Sequence, residues 1–231
     1  MLPDPLPAPL PAFLGVLGHT GITAYLGVDL GGVQAGDTVV VSAAAGAVGS
    51  VAGQVAKARG ARVVGIAGGP QKCRHVVEEL GFDACVDHRA DDWRAQLDAA
   101  TPDGIDVDFE NVGGEIMDRV LMRLNIGARV ALCGMISQYN AAGADRDWAG
   151  QVNVGQLIMQ RATMQGFLVR DHADRFDEAI AHLAGMLGAG TLRYDETILD
   201  GGIEQAPAAL ARLFTGESTG KLVLKVAERS A

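Results

Sequence analysis

Apolar positions along this chain change period repeatedly, and each change marks an element. Residues 20–30 carry apolar side chains at helical spacing and stop at Gly31-Gly32. The β-branched run TVVVS at 38–42, bounded by Gly36-Asp37, predicts a strand. Residues 47–59 return to helical spacing and stop at Gly60. A second strand follows at 62–67. A second helix spans 70–80, with Pro70 at its start and Gly81 past its end. The alternation continues with strands at 84–86, 105–109 and 129–133 and helices at 91–100 and 115–124. An irregular stretch over 134–148 precedes a helix near 154–161 and a strand at 163–169. Within 105–109, Asp106 and Asp108 read as strand ends or polar positions.

Strands alternating with helices build βαβ units, and right-handed crossovers wind them into a parallel sheet covered on both faces. Six strands fall in this repeat, the number in a full dinucleotide-binding sheet. The expected fold class is α/β, a doubly wound parallel (Rossmann) sheet with a remnant of a second domain at the termini. Residues 1–35 read as an N-terminal extended segment, proline-rich over 2–11, with a lead-in helix. Residues 36–190 are the dinucleotide-binding domain, closing with a helix at 174–187. Residues 191–231 are a C-terminal segment with strands at 193–199 and 221–226 around a helix at 203–214.

Composition narrows the function. A hydrophobic fraction of 48% supports a real core, and the 31 glycines are spread between β-branched runs as in a turn-rich α/β protein. The net charge of -9 repels a phosphate backbone and argues against nucleic acid as a partner. Any phosphate site must therefore be local, made of backbone amides and a few cations. Cys73, Cys85 and Cys133 have neither metal-ligand spacing nor a disulfide pattern, which points to a reducing cytosol. The start of the chain lacks the basic residues and apolar run of a signal peptide, and no stretch reads as a membrane span. A cytoplasmic location with no membrane partner is the expectation.

The main chemical signal is SAAAGAVGS at 42–50, directly after the first strand and opening the first crossover helix. A dinucleotide fold holds its pyrophosphate there, on free amides and the positive end of the helix dipole. The spacing fits G-x-G-x-x-G with Ala44 in the first position. Gly46 admits the phosphates and Gly49 lets the helix pack on the sheet. Ala47 and Val48 lie between them. A glycine-rich turn without ligand gives the same letters, so the weight comes from the flanking strand and helix. About 20 residues on, where NAD-binding chains carry an acid for the ribose, this chain reads AGGPQK at 67–72. Small residues with Lys72 suit a 2′-phosphate, with Arg74 as a second candidate cation. The alternative is that Lys72 is a solvated residue on a first helical turn.

Other chemistry is weaker. No G-x-S-x-G elbow supports a Ser42 or Ser50 nucleophile. The five histidines share no metal spacing, and no metal is expected. Cys133, at a strand end, reads as a packed small residue rather than a nucleophile.

The segments SAAAGAVGS (42–50), ENVGG (110–114), LCGMISQYN (132–140) and TGKLV (219–223), with GVLG at 15–18 and TAY at 23–25, together resemble the medium-chain dehydrogenase/reductase superfamily. They are most similar to its zinc-free prostaglandin reductase and 2-alkenal reductase branch. The resemblance runs in order through nearly the whole chain, but without the N-terminal GroES-like domain of that branch. It implies NADPH-dependent reduction of a carbon–carbon double bond in an enone or enal. The protein then mainly orients the reactants and offers hydrogen bonds to the developing oxyanion.

Residue by residue, the resemblance gives Gly46 to Gly49 the pyrophosphate and Lys72 the 2′-phosphate. His88 stands where the branch has a tyrosine near that phosphate. Asn111 lines the cofactor. Cys133, Gly134, Ile136 and Ser137 lie in the loop under the nicotinamide ribose, and Tyr139 bonds that ribose as the candidate catalytic residue. Phe167, Leu168 and Val169 lie beside the nicotinamide. Ser218 stands where the branch has asparagine, and Glu110 replaces an aspartate. The resemblance also implies a homodimer through the edge strand near 163–169. A second reading keeps NADP(H) binding but no turnover, because the substrate domain is missing.

Overall fold

Val39 and Val41 point to one face of the first strand and Val40 to the other, and all three are buried. A strand buried on both faces needs helices above and below it. The structure, a computed structural model, describes residues 8–139 and 152–227. Six strands, β1 (Thr38–Ser42), β2 (Arg62–Ala67), β3 (Ala84–Asp87), β4 (Ile105–Glu110), β5 (Leu124–Leu132) and β6 (Thr163–Gly166), form one parallel sheet. Their order is β3-β2-β1-β4-β5-β6, that of a doubly wound dinucleotide-binding sheet.

The helices divide between the two faces. On one face, α1 (His19–Leu30), α2 (Gly49–Ala58) and α7 (Phe176–Gly188) bury Leu26, Val55 and Leu183 against Val39, Val41, Val63 and Phe109. On the other, α4 (Trp93–Ala100) and α5 (Gly114–Leu121) bury Leu97, Met117 and Val120 against Val40, Val64 and Val130. Helix α3 (Pro70–Glu78) connects β2 to β3, and the short α6 (Gln156–Met159) leads into β6. After α7, β7 (Glu196–Asp200), α8 (Ala206–Thr215) and β8 (Lys221–Lys225) form a separate βαβ unit with a two-stranded parallel sheet. It is tied to the turn that follows β1, since the amide of Gly220, just before β8, donates to the Ala45 carbonyl at 2.8 Å.

Where element bounds differ from the pattern reading, a particular contact explains it. Strand β5 begins at Leu124, ahead of the expected 129, and Gly127 inside it has φ +77° with its amide on the Gln160 carbonyl at 2.7 Å. In the sequence such a glycine reads as a break. Strand β7 starts three residues late because Gln54 of α2 takes both backbone groups of Arg193, at 2.8 and 2.9 Å. Strand β6 stops at Gly166, and Val169 already begins a 3-10 run. Most of the irregular stretch expected over 134–148 lies outside the described residues.

Asp108 overturns its reading as a strand-end or polar position. It pairs in register with Val40 on one side and Val130 on the other and is fully buried. A sheet covered on both faces has no polar face to offer it. Asp106, two residues earlier, keeps a polar role at the strand start and accepts the Thr38 amide at 2.8 Å.

Close packing of α2 against the segment before β3 depends on Gly53. A Cβ there would lie 1.8 Å from the Phe82 ring, which is itself buried. Gly53→Ala is expected to destabilise the fold by about 3 kcal/mol, since an overpacked core ring has nowhere to move. Urea denaturation measures this, and a change below about 1 kcal/mol would mean the ring relocates freely.

Candidate functional site

The order of the strands reverses between β1 and β4, and a crevice opens where they end. There a cleft of about 690 Å³ is lined by residues that follow β1, β2, β3, β4 and β5, by the start of α1, and by the segment from α8 to β8.

Its first wall is the turn from β1 to α2. The Ser42 carbonyl and hydroxyl both accept from Asn111, and Ala43 turns the chain at φ +50°. The Gly46 amide donates to the Ala43 carbonyl at 2.9 Å. A Cβ on Gly49 would stand 2.4 Å from that same carbonyl, so the tight turn requires glycine there. No side chain caps α2. Gly46, Ala47, Val48 and Gly49 therefore present an uncapped helix start to the cleft.

The floor is built after β4. Glu110 is fully buried and accepts from the Ser42 hydroxyl at 2.8 Å and from the amides of Val112 and Gly113, the latter at 2.8 Å. Burial pushes its carboxyl above the ordinary range, and these hydrogen bonds oppose that rise. The result is a rigid turn carrying Asn111. Its amide donates to the Ser42 hydroxyl at 2.7 Å and its side chain to the Ser42 carbonyl at 2.8 Å. Glu110 looks like a minor substitution in the sequence; in the structure it organises the floor. Its S-to-E separation, Ser42 to Glu110, carries no local signal.

After β5, Cys133, Gly134, Ile136 and Ser137 line the cleft with Tyr139. Tyr139 folds back over its own turn, and its hydroxyl accepts the Met135 amide at 3.2 Å. A Cβ on Gly134 would come 2.9 Å from that oxygen. The hydroxyl proton is left for another partner. Burial, and then the Glu110 charge, push the Cys133 thiol up to about 12. Iodoacetamide at pH 8 is expected to label Cys133 on the order of a hundredfold more slowly than a free cysteine. Peptide mass spectrometry would detect the opposite, rapid labelling, which would mark it as a reactive thiol.

At the far end of the cleft, beyond β2, three basic side chains gather. Lys72, on the first turn of α3, donates to the carbonyls of Gly216 and Ser218 at 2.8 and 2.6 Å. His88 and Arg89 follow β3 and line the same end. Burial, then Arg89, lower the pKa of Lys72. Arg74 is exposed and does not line the cleft. Two positions on a helix turn the side chain about 200°, so with Lys72 facing in, Arg74 faces out. The arginine that lines this end is Arg89, which the spacing after the phosphate loop does not single out.

Of the residues read from the sequence, Phe167, Leu168 and Val169 do not line this cleft. The Phe167 ring lies beside Phe109 over Gly27, Val169 is in the core, and Leu168 is exposed. His19, Thr20 and Thr23 on α1 do line it. Among the described residues, no three His, Cys, Asp or Glu side chains form a group able to hold a metal ion. Nor is any helix among them long and apolar enough to cross a membrane.

Residues 47–185 match the family model described as zinc-binding dehydrogenase. The chain belongs to this family, within the medium-chain dehydrogenase/reductase superfamily. Among its relatives, YfmJ of Bacillus subtilis (strain 168) is 50% identical over 225 residues, which are 96% of this chain and 66% of that protein. NADPH-dependent curcumin reductase of Escherichia coli (strain K12) is 44% identical over 220 residues, 93% of this chain and 63% of the reductase. The crystal structure of CurA in complex with NADPH from Vibrio vulnificus superposes with a TM-score of 0.87 at 45% identity, over 94% of this chain and 65% of that one. This family member thus spans about two thirds of the length of the relatives it matches.

Proposed function

We propose that the chain binds NADP(H) in the cleft and is the cofactor-binding part of a reductase acting on an activated carbon–carbon double bond, in an enone or enal. The observation that carries the cofactor reading is the gathering of Lys72, His88 and Arg89 beyond β2, where a chain selective for NAD would hold an acid. The residues present fit such a dinucleotide. An uncapped helix start stands at one phosphate position and basic side chains at the other, with a largely apolar stretch between them. Similarity to relatives named as NADPH-dependent curcumin reductase and NADP(+)-dependent 2-alkenal reductase supports the substrate class.

When bound, NADPH would supply the hydride. The chain's own residues would bind and orient. Ala47, Val48 and Gly49 would hold the pyrophosphate through their amides, and Gly46, whose amide serves the turn, would let it approach the backbone closely. Asn111, fixed by Ser42 and Glu110, would floor the central part with Cys133, Gly134, Ile136 and Ser137. Tyr139 would donate its free hydroxyl proton to the nicotinamide ribose and so set the ring's position. Ser218 would join the 2′-phosphate end through the loop that Lys72 holds. The three cysteines are free, which suits the cytoplasm as the proposed setting. The proposed partner of the sheet edge is a second copy of the chain. Strand β6 ends the sheet with Thr163, Gln165 and Gly166 exposed, an edge that pairing would cover.

Nicotinamide fluorescence tests the reading. NADPH is expected to bind at least about tenfold tighter than NADH. With an enal present, NADPH is expected to be consumed, and more slowly in Tyr139→Phe. NADPH binding with no turnover would leave a binding module without reductase activity. Equal affinity for the two cofactors would overturn the proposal.

A further inference from the structure

The basic end of the cleft has a titratable member. A Cβ on Gly68, just past β2, would stand 2.9 Å from His88 Nε2 and 3.0 Å from Arg89 Nε, so both side chains lie across that bare glycine. The other end of the Arg89 guanidinium reaches the Gly216 turn, 3.2 Å from where a Cβ there would be. Lys72 closes the group from α3, held by the Gly216 and Ser218 carbonyls. Two segments, α3 and the turn after β3, thus bring three basic groups to one small volume, and the turn at 216–218 holds Lys72 there by its carbonyls.

The charged groups acting on His88 are Arg89 and Asp87 on its own turn and Lys72 on α3. Asp87 is committed to backbone, accepting the amides of Gly69 at 2.7 Å and Arg89 at 3.0 Å. Ser42 and Asn111 serve the other end of the cleft. The loop before β8 contributes carbonyls, which Lys72 takes. With two cations against one engaged carboxylate, the free protein disfavours a third positive charge here. Burial, and then Arg89, lower the imidazole pKa accordingly.

Resting on the NADP(H) reading above, in which Lys72, His88 and Arg89 face the cofactor's 2′-phosphate, we propose that binding this phosphate draws a proton onto His88. A phosphate monoester carries about -1.5 to -2 charges at pH 7, enough to reverse the local field. A neutral imidazole facing it offers one donor, whereas the imidazolium offers two and a charge. The sign of the linkage follows. The bound state has the higher histidine pKa, so it holds more protons. Affinity for NADPH therefore falls as pH rises from the free-state pKa through the bound-state pKa. NADH, without the 2′-phosphate, lacks the effect. Above about pH 6.5 the phosphate is already mostly dianionic, its second pKa being about 6, so its own ionisation does not mask the trend.

The test is calorimetric titration of the chain with NADPH and NADH at pH 6.5, 7.5 and 8.5, in two buffers of different ionisation enthalpy. NADPH is expected to take up a fraction of a proton and to lose about tenfold in affinity, relative to NADH, across this range. His88→Gln is expected to abolish the uptake and flatten the profile while still preferring NADPH. Arg89→Ala is expected to lose about tenfold in NADPH affinity and little in NADH affinity. Circular dichroism of each variant checks that it folds. NADPH binding tighter than NADH, but with no proton uptake and a flat profile, would overturn the proton linkage and leave the cofactor reading standing. Equal binding of both nucleotides, or of neither, would overturn the cofactor reading and this proposal with it.

Discussion

Lys72→Ala is expected to weaken NADPH binding by about ten- to hundredfold and to leave NADH within about threefold. The half-buried ammonium spends two of its three donors on the Gly216 and Ser218 carbonyls. The third is available to a phosphate oxygen, and a charge-assisted hydrogen bond of this kind contributes about 1.5 to 3 kcal/mol. Alanine also releases the loop at 216–218. That loss falls on both cofactors, so the ratio of the two affinities isolates the 2′-phosphate. Fluorescence titration with each nucleotide measures it. Equal losses for NADPH and NADH would assign Lys72 to holding the loop alone.

The second large effect is one of stability. Both carboxyl oxygens of Asp108 are buried without a hydrogen-bond partner. Burial, and then the neighbouring Glu110, raise its pKa well above the ordinary carboxylate value. A folded-state pKa raised above the unfolded one costs nothing at low pH, where both states are protonated. The cost grows as pH rises past the ordinary carboxylate range, because only the unfolded chain ionises freely. Asp108→Val removes both the buried polar group and its titration, and valine matches Val40 and Val130 beside it. The variant is expected to be more stable by about 2 kcal/mol at neutral pH, with a smaller gain at pH 4.5. Asp108→Asn removes only the titration and should gain less. Urea denaturation of the three proteins at the two pH values decides the matter. A valine variant no more stable than the parent would mean that Asp108 has a partner serving it in solution.

Much of the fold is legible in the chain because its signals are local. The TVVVS run, the glycines at 60 and 81 and the Pro70 start are set by neighbours within a few residues. The phosphate loop is legible for the same reason, since strand, turn and helix start are contiguous. Boundaries fail where a distant group intervenes, as Gln54 does by capturing the backbone of Arg193. Gly127 is the complementary case, a local break signal absorbed into a longer strand by the Gln160 carbonyl.

The candidate site divides along the same line. Lys72 is found by counting from the glycine loop, because the end of β2 lies a fixed distance along the βαβ unit. Arg89 is not found that way; the count offers Arg74, which is exposed and does not line the cleft. Which cation joins Lys72 depends on the end of β3 lying beside the end of β2. Glu110 and Asp108 sit two residues apart on one strand, and the sequence distinguishes neither from a solvated acid. What the sequence by itself determined is the order of strands and helices, the phosphate loop and the family. Only the tertiary structure decided that Asp108 is buried unpaired, that Glu110 braces the cleft floor, and that Arg89 joins Lys72 and His88 at one end of it. The physical reason is that hydrophobic period and turn chemistry act over a few residues, whereas burial and charge proximity are properties of segments brought together from far along the chain.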